Sequence, residues 1–273
     1  MKRGNDFAVK YGPWALVAGG SDGLGREFSM ELARLGLNLV IVARRKELLL
    51  ETAKVVTAAH PVQVRTITAD LGDTESHALI IRETDDIDVG LLVYNAATSP
   101  IGPFLDTPIE KHAAAISTNC VGPVSLVHHF GRKMSDRGKG GIILMSSMTA
   151  FQGTPLVATY GSTKSFNLSL AESVGYELSS CGVDVMACCA GATLTPNYIN
   201  SKPADRRLPS SAEMAPGKVV NEALRRLGTT RVLIPGRMNR FYGFIMTRIL
   251  TRKQSISLIA KNLYRLYGKN PER

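Results

Sequence analysis

The chain has 273 residues, of which 44% are hydrophobic and 21% are charged, the composition of a soluble globular protein with a large core. No apolar stretch approaches the ~20 residues that a membrane-spanning helix needs, and Gly19 and Gly20 end the first apolar run, so neither a transmembrane helix nor a signal peptide is predicted. Four cysteines without Cys-x-x-Cys spacing and five histidines without metal-ligand spacing predict reduced thiols in a cytoplasmic protein and no metal site.

The formal net charge of +10 is concentrated at the C-terminal end of the chain. From Arg237 onward there are nine Lys or Arg residues and one acid, Glu272, whereas the preceding part carries 24 basic and 22 acidic residues. The positive charge is therefore local. Because the sequence contains no nucleic-acid-binding module, we expect no nucleic-acid partner.

The first predicted strand, Trp14–Ala18, is followed by a glycine-rich turn and by a helical pattern from Arg26 to Leu35. The turn reads Gly19-Gly20-Ser21-Asp22-Gly23-Leu24-Gly25. Such a turn between a strand and a helix lets a pyrophosphate approach free backbone N–H groups and the positive end of the helix. The spacing Gly-x-x-x-Gly-x-Gly differs from the commoner Gly-x-Gly-x-x-Gly, and a tight turn without a ligand is the alternative.

The second predicted strand, Asn38–Ala43, ends in three basic residues, Arg44, Arg45 and Lys46. A dinucleotide site that prefers NAD places an acid about 20 residues beyond the glycines, whereas an arginine there accommodates the 2′-phosphate of NADP. Because no acid occurs at 43–46, we expect NADP(H), with Arg44 and Arg45 on the phosphate. The alternative is that the basic residues open a solvated helix, and we prefer it for Lys46.

Two further predicted strands lead into short polar or small-residue segments. The strand Val62–Thr68 precedes Asp70-Leu71, and the strand Asp88–Tyr94 precedes Asn95-Ala96-Ala97. The small residues at 96 and 97 permit a cofactor to approach closely. We expect Asn95 to contact that cofactor or to brace the central strand.

The fifth strand is predicted at Ile142–Met145, and a helix begins near Val157. Ser147 lies at the strand end, and the i, i+4 spacing of Tyr160 and Lys164 places phenol and ammonium on one helix face. Two unit charges about 4 Å apart interact by about 4 kcal/mol at an effective dielectric of about 20. We therefore expect Lys164 to lower the pKa of Tyr160 by roughly 2 to 3 units. The alternative is an ordinary exposed Tyr–Lys pair.

The sixth predicted strand, Val183–Cys189, leads to the loop Gly191–Thr195. Residues 196–217 are rich in Pro, Ser and charged residues, and we interpret them as a mobile substrate lid. The last predicted strand is Arg231–Ile234. Strand and helix patterns alternate without an evident linker, which favours a single domain over residues 1–273.

The order and spacing of these motifs resemble the short-chain dehydrogenase/reductase family, of the classical type, from about Trp14 to Pro196. The catalytic residues that the resemblance implies are Ser147, Tyr160, Lys164 and Asn119. Asn119, in a helix predicted from Thr107 through Lys133, would hold a water that relays protons to Lys164.

The resemblance also implies which residues contact the cofactor. They are Gly19, Ser21, Asp22, Gly23, Leu24, Gly25, Arg44, Arg45, Asp70, Leu71, Asn95, Ala96, Ala97, Tyr160, Lys164, Gly191, Thr193 and Thr195. The chain departs from the family pattern at Ala18, Tyr94, Ala97 and Ala190. With Ala190 in place of the usual proline, we expect a less rigid loop on the nicotinamide side.

These observations predict a single doubly wound, Rossmann-type domain with a mainly parallel, seven-stranded sheet and the cofactor across the carboxyl ends of the strands. The expected reaction is reversible hydride transfer between NADP(H) and a carbonyl or secondary alcohol of a lipophilic substrate such as a steroid, long-chain or acyl ketone. In the reduction, Tyr160 would donate the proton, Ser147 would hold the oxygen and Lys164 would contact the nicotinamide ribose. The alternatives are a non-catalytic NADP(H)-binding redox sensor and a membrane scaffold. We expect a homo-oligomer, a dimer or a tetramer.

The segment 237–273 is predicted to add a helical extension with a basic amphipathic helix. Apolar residues recur at helical spacing from Ile256 to Tyr267, and Lys261, Arg265 and Lys269 form a second stripe. Such a helix can lie in a bilayer interface with its cations on anionic headgroups, which would make the enzyme membrane-associated. The alternative, of equal weight, is that these apolar residues pack on the enzyme's own core or on a second subunit.

Overall fold

The computed structural model describes residues 2–202 and 213–268, and its centre is one seven-stranded parallel sheet. The strands are β1 Trp14–Ala18, β2 Asn38–Ala43, β3 Val64–Thr68, β4 Val89–Tyr94, β5 Gly140–Ser147, β6 Val183–Ala190 and β7 Val232–Leu233. Their order is β3-β2-β1-β4-β5-β6-β7, and every neighbouring pair is parallel. This confirms the predicted doubly wound, Rossmann-type fold.

Helices connect the strands and cover both faces of the sheet. They are α1 Lys2–Tyr11, α2 Gly23–Arg34, α3 Lys46–Ala59, α4 Thr74–Arg82, α5 Ile109–Ile116, α6 Gly122–Arg137, α7 Ala158–Glu177, α8 Pro196–Ser201, α9 Pro216–Arg226, α10 Arg237–Phe244 and α11 Arg252–Tyr267. The last two form the helical extension that the sequence predicts. No helix within the described ranges is long and apolar enough to cross a membrane.

Two buried clusters lie on opposite faces of the sheet. On one face, Phe28 and Leu32 of α2 and Val219 of α9 are buried in the same cluster. On the other face, Phe130 of α6 and Ala171 of α7 belong to the second cluster. Because both faces are covered, the strands are rich in Val, Ile and Leu rather than alternating in polarity.

The helices differ from the sequence prediction at three places, and the ends of β3 to β7 shift by one or two residues. Helix α2 begins at Gly23 rather than Arg26, because the Asp22 carboxylate accepts a hydrogen bond from the Gly23 N–H at 2.7 Å and caps the helix. The helix predicted from Thr107 through Lys133 is divided into α5 and α6 by a π-helical turn at Ser117–Val121. Helix α1, which the sequence pattern did not predict, is held by the Tyr11 hydroxyl, which donates to Asp184 at 2.5 Å.

The carboxyl ends of β1, β2, β4, β5 and β6 lie at one edge of the sheet. Strand β1 is flanked by β2 on one side and by β4 on the other, so the strand order reverses there. In doubly wound sheets a ligand binds in the crevice at such a reversal. The fold therefore brings the glycine-rich turn, Asn95, Ser147 and Gly191 to one edge.

Candidate active site

The glycine-rich turn has the backbone geometry that a phosphate site needs. Gly19 and Gly23 adopt φ angles of +81° and +51°, which other residues rarely adopt. A Cβ at Gly25 would lie 1.9 Å from the Gly19 carbonyl oxygen, so only glycine allows α2 to begin so close to β1. Asn95 donates from Nδ2 to the same carbonyl at 2.9 Å. In this structure Asn95 thus braces the glycine-rich turn that follows β1. Its two predicted roles, contact with the cofactor and bracing of the central strand, stay predictions.

Arg44 and Arg45 lie beside this turn, and both are exposed. Arg45 Nη2 is 2.7 Å from Oδ2 of Asp22 in the glycine-rich turn. Arg44 Nη1 is 3.6 Å from Oδ2 of Asp70, which follows β3. The two cations therefore lie between the glycine-rich turn and the end of β3. Lys46 is exposed at the start of α3, in agreement with its predicted solvation.

The residues of the turn fit a dinucleotide. Its glycines leave the N-terminal end of α2 open to a phosphate. The two arginines provide the positive charge that a ribose 2′-phosphate needs. The loop after β6 closes on the same turn, because a Cβ at Gly23 would lie 3.0 Å from the Thr195 side chain.

Ser147, Tyr160 and Lys164 come together where β5 meets α7. Ser147 ends β5, and its Oγ accepts a hydrogen bond from the Thr149 N–H at 3.2 Å. Tyr160 lies in the first turn of α7, and Lys164 follows one turn later. Lys164 is only 3% exposed, which excludes an ordinary surface pair. Its ammonium lies 5.5 Å from the centre of the Tyr160 ring and donates to the Met145 carbonyl at 2.7 Å.

The prediction that Lys164 lowers the pKa of Tyr160 is wrong for this structure. Burial raises the pKa of Tyr160, and a hydrogen bond with Ser147 offsets only part of this effect. Burial also lowers the pKa of Lys164 to about 8. The reason is that a dry environment disfavours both charged forms, while the ammonium is directed to a backbone carbonyl rather than to the phenol oxygen.

Asn119 is fully buried in the π-helical turn, and its amide group has three partners. Oδ1 accepts from the Thr98 N–H at 2.8 Å, and Nδ2 donates to the Thr98 carbonyl at 2.8 Å and to Thr163 Oγ1 at 2.9 Å. The side chain thus ties the loop after β4 to the helix that carries Lys164. The water relay predicted between Asn119 and Lys164 stays a prediction.

Tyr94, a departure from the family pattern, supports the same π-helical turn. Its hydroxyl donates to the Thr118 carbonyl at 2.7 Å, and a Cβ at Gly122 would lie 2.1 Å from it. Burial raises the pKa of Tyr94, so the hydroxyl stays protonated and remains a donor. The sequence analysis noted this residue but found no role for it, because its partner lies 24 residues away.

The loop after β6 is held by residues that the sequence analysis missed. Asn239 of α10 packs against Gly191, where a Cβ would lie 2.6 Å from the amide nitrogen. This contact restrains the loop that was expected to be less rigid because of Ala190. Thr195 caps α8 by accepting from the Tyr198 N–H at 3.3 Å. The sequence carries no local signal for this pairing, because Gly191 and Asn239 lie far apart in the chain.

The predicted lid, 196–217, is described only in part, since residues 203–212 lie outside the described ranges. Its first part is α8. The two ends are joined by a buried ion pair between Lys202 and Glu213. The Tyr198 hydroxyl donates to the same Glu213 carboxylate at 2.8 Å, and the Lys202 ammonium lies 4.4 Å from the centre of the Tyr198 ring. These contacts join α8 and Lys202 to the part of the chain that begins at Glu213.

Comparison with known proteins agrees with this geometry. A family model described as short chain dehydrogenase matches residues 13–206. The chain is 30% identical over 235 residues to a 7beta-hydroxysteroid dehydrogenase of Clostridium sardiniense, covering 86% of this chain and 90% of that protein. It is 36% identical over 179 residues to a very-long-chain 3-oxoacyl-CoA reductase of Aspergillus clavatus, covering 64% of this chain and 52% of that protein.

Solved structures are similar over nearly the whole chain. A 7beta-hydroxysteroid dehydrogenase studied for its stereoselectivity superposes with a TM-score of 0.86 at 30% identity, covering 93% of this chain and 98% of that one. A short-chain dehydrogenase of Sphingobium yanoikuyae in complex with NADPH has a TM-score of 0.74 at 26% identity, covering 96% and 98%. The chain therefore belongs to the classical short-chain dehydrogenases/reductases, oxidoreductases that act on CH–OH groups with NAD(P) as acceptor.

Proposed function

We propose that this one-domain protein is an NADP(H)-dependent oxidoreductase that interconverts a ketone and a secondary alcohol on a lipophilic skeleton. The observation that carries the proposal is the group formed by half-buried Ser147 and Tyr160 with buried Lys164, at the sheet edge that also carries the glycine-rich turn. The substrate class is supported by the relatives, which are named for hydroxysteroids and for very-long-chain 3-oxoacyl-CoA. A steroid, long-chain or acyl ketone is therefore the class to test.

In the reduction, bound NADPH supplies the hydride that reaches the carbonyl carbon. Ser147 donates a hydrogen bond to the carbonyl oxygen, and Tyr160 gives its proton to that oxygen to complete the alcohol. The raised pKa of Tyr160 suits this role, because it keeps the proton on the phenol until the oxygen becomes basic. Lys164 contacts the nicotinamide ribose of the bound cofactor, and Asn119 positions the helix of Lys164 through Thr163.

The preference for NADP(H) over NAD(H) rests on Arg44 and Arg45. A planar guanidinium binds phosphate oxygens with two parallel hydrogen bonds. Both arginines are paired with carboxylates on the surface, where an ion pair contributes only about 0 to 1 kcal/mol. A 2′-phosphate can therefore replace the carboxylates of Asp22 and Asp70 as the partner of these two arginines. The NADPH bound to the Sphingobium relative is consistent with this choice.

A spectrophotometric screen tests the proposal. NADPH oxidation is followed by the loss of absorbance of the reduced nicotinamide. The substrates are steroid ketones, long-chain ketones, acyl thioesters and small aldehydes. We expect turnover with at least one lipophilic ketone. Tight NADPH binding without turnover of any compound would contradict the proposal and favour the non-catalytic redox sensor.

An apolar surface supports the proposed homo-oligomer. Large apolar side chains of α5, the π-helical turn, α6 and α7 are exposed, with Ile109 70%, Ile116 48%, Val124 43% and Phe166 40% accessible. Contiguous exposed apolar surface on a globular protein marks an interface. We propose that a second copy of this chain covers this face.

We further propose that the C-terminal segment brings the enzyme to an anionic membrane surface through α10 rather than α11. The outward face of α10 and the following π-helical turn exposes Met238 (53%), Phe241 (57%), Phe244 (55%) and Ile249 (61%). Residues 237–268 carry seven Lys or Arg and no acid. A symmetric contact with a second copy would bring these like charges together, whereas anionic headgroups complement them.

We expect Phe241→Ser combined with Phe244→Ser to reduce co-sedimentation with phosphatidylglycerol vesicles at least about tenfold, since each buried phenylalanine contributes about 1.5 to 3 kcal/mol. Leu50→Ser, at an exposed apolar residue of α3, is the matched control and should bind like the wild type. Equal partitioning of wild type and double variant, with NADPH binding retained in both, would discard the membrane contact. A lower oligomeric state of the double variant would instead assign the face to a second copy.

A further inference from the structure

The π-helical turn between α5 and α6 has a chemical cause in the sequence. Pro123 has no backbone N–H, so it cannot donate to a carbonyl of the preceding turn. The N–H of Gly122, just before it, donates to the Ser117 carbonyl in the i to i+5 pattern of a π-helix. In this pattern the donor for the Thr118 carbonyl would be residue 123. The proline therefore leaves that carbonyl without its donor from within the helix.

Tyr94, at the carboxyl end of β4, supplies the missing donor from another element. Its hydroxyl donates to the Thr118 carbonyl at 2.7 Å. The side chain is only 2% exposed and belongs to the core, so this hydrogen bond is shielded from solvent. Gly122 leaves room for the hydroxyl, because a Cβ there would lie 2.1 Å from the phenol oxygen. The proline thus withholds a donor, the glycine leaves a space, and the phenol fills both.

A chain of hydrogen bonds runs from this turn to the backbone of the catalytic tyrosine. Thr118 is followed directly by Asn119, which is fully buried and donates from Nδ2 to Thr163 Oγ1 at 2.9 Å. The Thr163 hydroxyl in turn donates to the Tyr160 carbonyl at 2.8 Å. Tyr94 is therefore linked to Tyr160 by three hydrogen bonds and one peptide unit.

We propose that Tyr94 is a positioning residue for the catalytic tyrosine: its hydroxyl fixes the π-helical turn, and the turn fixes α7 through Asn119 and Thr163. The Tyr94 hydroxyl donates to a backbone carbonyl in the core, so it acts through Asn119 and not on the reacting atoms. A misplacement of about 1 Å at a reacting group can lower the rate about 100-fold. The assignment rests on the proposed function, because displacement of Tyr160 is measured as lost turnover.

The first test is Tyr94→Phe in the full chain, with the ketone that the screen finds to be turned over. This substitution keeps the ring and removes the donor. We expect kcat to fall about tenfold, with the KM and the Kd of NADPH within about twofold of wild type, because no contact to either compound is lost. A lower midpoint of urea unfolding with kcat unchanged would mean a purely structural role and would overturn the proposal.

Tyr11→Phe is the matched control. Tyr11 is also a buried phenol, and its hydroxyl donates to Asp184 at 2.5 Å. It packs on Gly90 and Gly141, at the amino ends of β4 and β5, which is the sheet edge away from Tyr160. Tyr11→Phe should lower the urea midpoint as well, but it should leave kcat within about twofold of wild type. An equal loss of kcat in both variants would assign the effect to lost stability and overturn the proposal.

A double-mutant cycle with Asn119→Ala shows whether the effect passes through this residue. Asn119→Ala removes the step that leads to Tyr160. Tyr94→Phe in this background should therefore lower kcat by less than about twofold further, although it should still lower the urea midpoint. A full additional tenfold loss of kcat would show that Tyr94 does not act through Asn119 and would overturn the assignment.

Pro123→Ala in the Tyr94→Phe background tests the role of the hydroxyl as a substitute donor. Alanine gives position 123 an N–H that can donate to the Thr118 carbonyl from within the helix. We expect kcat to return to within about threefold of wild type. If Tyr94→Phe alone is unfolded, recovery of folding and turnover by Pro123→Ala gives the same answer.

A kcat that stays as low as in Tyr94→Phe, or a double variant that stays unfolded, would overturn the assigned role of the hydroxyl while leaving the proposed function in place. Absence of turnover in the wild type with every ketone of the screen would overturn both.

Discussion

Tyr160→Phe should abolish turnover, with kcat reduced by about two to four orders of magnitude, while NADPH binds nearly as before. The substitution removes the only proton that the proposed mechanism delivers to the carbonyl oxygen and leaves the ring in place. The raised pKa of Tyr160 reinforces this expectation, because the phenol enters the reaction protonated. The measurements are single-turnover NADPH oxidation and NADPH fluorescence titration.

Lys164→Ala is the informative comparison, since it should damage both turnover and NADPH binding. Its ammonium is buried against the Met145 carbonyl and beside the Tyr160 ring, and the proposal also places it on the nicotinamide ribose. Ser147→Ala should impair turnover with little effect on binding. If Tyr160→Phe keeps more than a few per cent of wild-type activity, the assigned proton donor is wrong.

Replacing both Arg44 and Arg45 by Gln should weaken NADPH about 100-fold while changing NADH less than about threefold. Each charge-assisted hydrogen bond is worth about 1.5 to 3 kcal/mol, and about 1.4 kcal/mol corresponds to a tenfold change in Kd. NADH lacks the 2′-phosphate and loses no such contact. The dissociation constants of both cofactors, measured by fluorescence titration at one ionic strength, give the ratio.

Arg34→Gln provides the matched control for this double substitution. Arg34 is an exposed arginine at the end of α2 that pairs with Glu31 at 2.8 Å and lies on the helix surface. Removing it tests whether a general loss of positive charge weakens NADPH. An unchanged NADPH to NADH ratio in the Arg44 and Arg45 variant would mean that the 2′-phosphate is held by other residues.

The positions of the strands along the chain and the segments that follow them could be predicted because each depends on neighbouring residues. Strands such as Trp14–Ala18 and Asn38–Ala43 are continuous apolar runs, and the structure gives them the same bounds. The glycine-rich turn needs left-handed backbone at Gly19 and Gly23, a requirement that glycine itself signals. Parallel topology then places the strand ends at one edge without any further information.

The packing of the C-terminal helices α10 and α11 could not be predicted from the sequence. The amphipathic pattern from Ile256 to Tyr267 is equally compatible with a membrane and with a protein surface. Only the packing of Ile256 against Gly153 shows which surface α11 covers. The outward apolar face of α10, by contrast, lies opposite a buried Asn239 and Gly243, a relation that the sequence alone does not reveal.

The sequence by itself determined the family and the sheet, and it placed Ser147 at a strand end and Tyr160 and Lys164 on one helix face. These relations could be predicted because spacing within one strand or helix is a local property. The tertiary structure decided the direction of the Tyr160 pKa, the three hydrogen bonds of Asn119 and the contact of Ile256 with the segment after Ser147. Desolvation and hydrogen bonding depend on residues far apart in the chain. Ile256 and Gly153, for example, meet only when α11 folds back over the segment after β5.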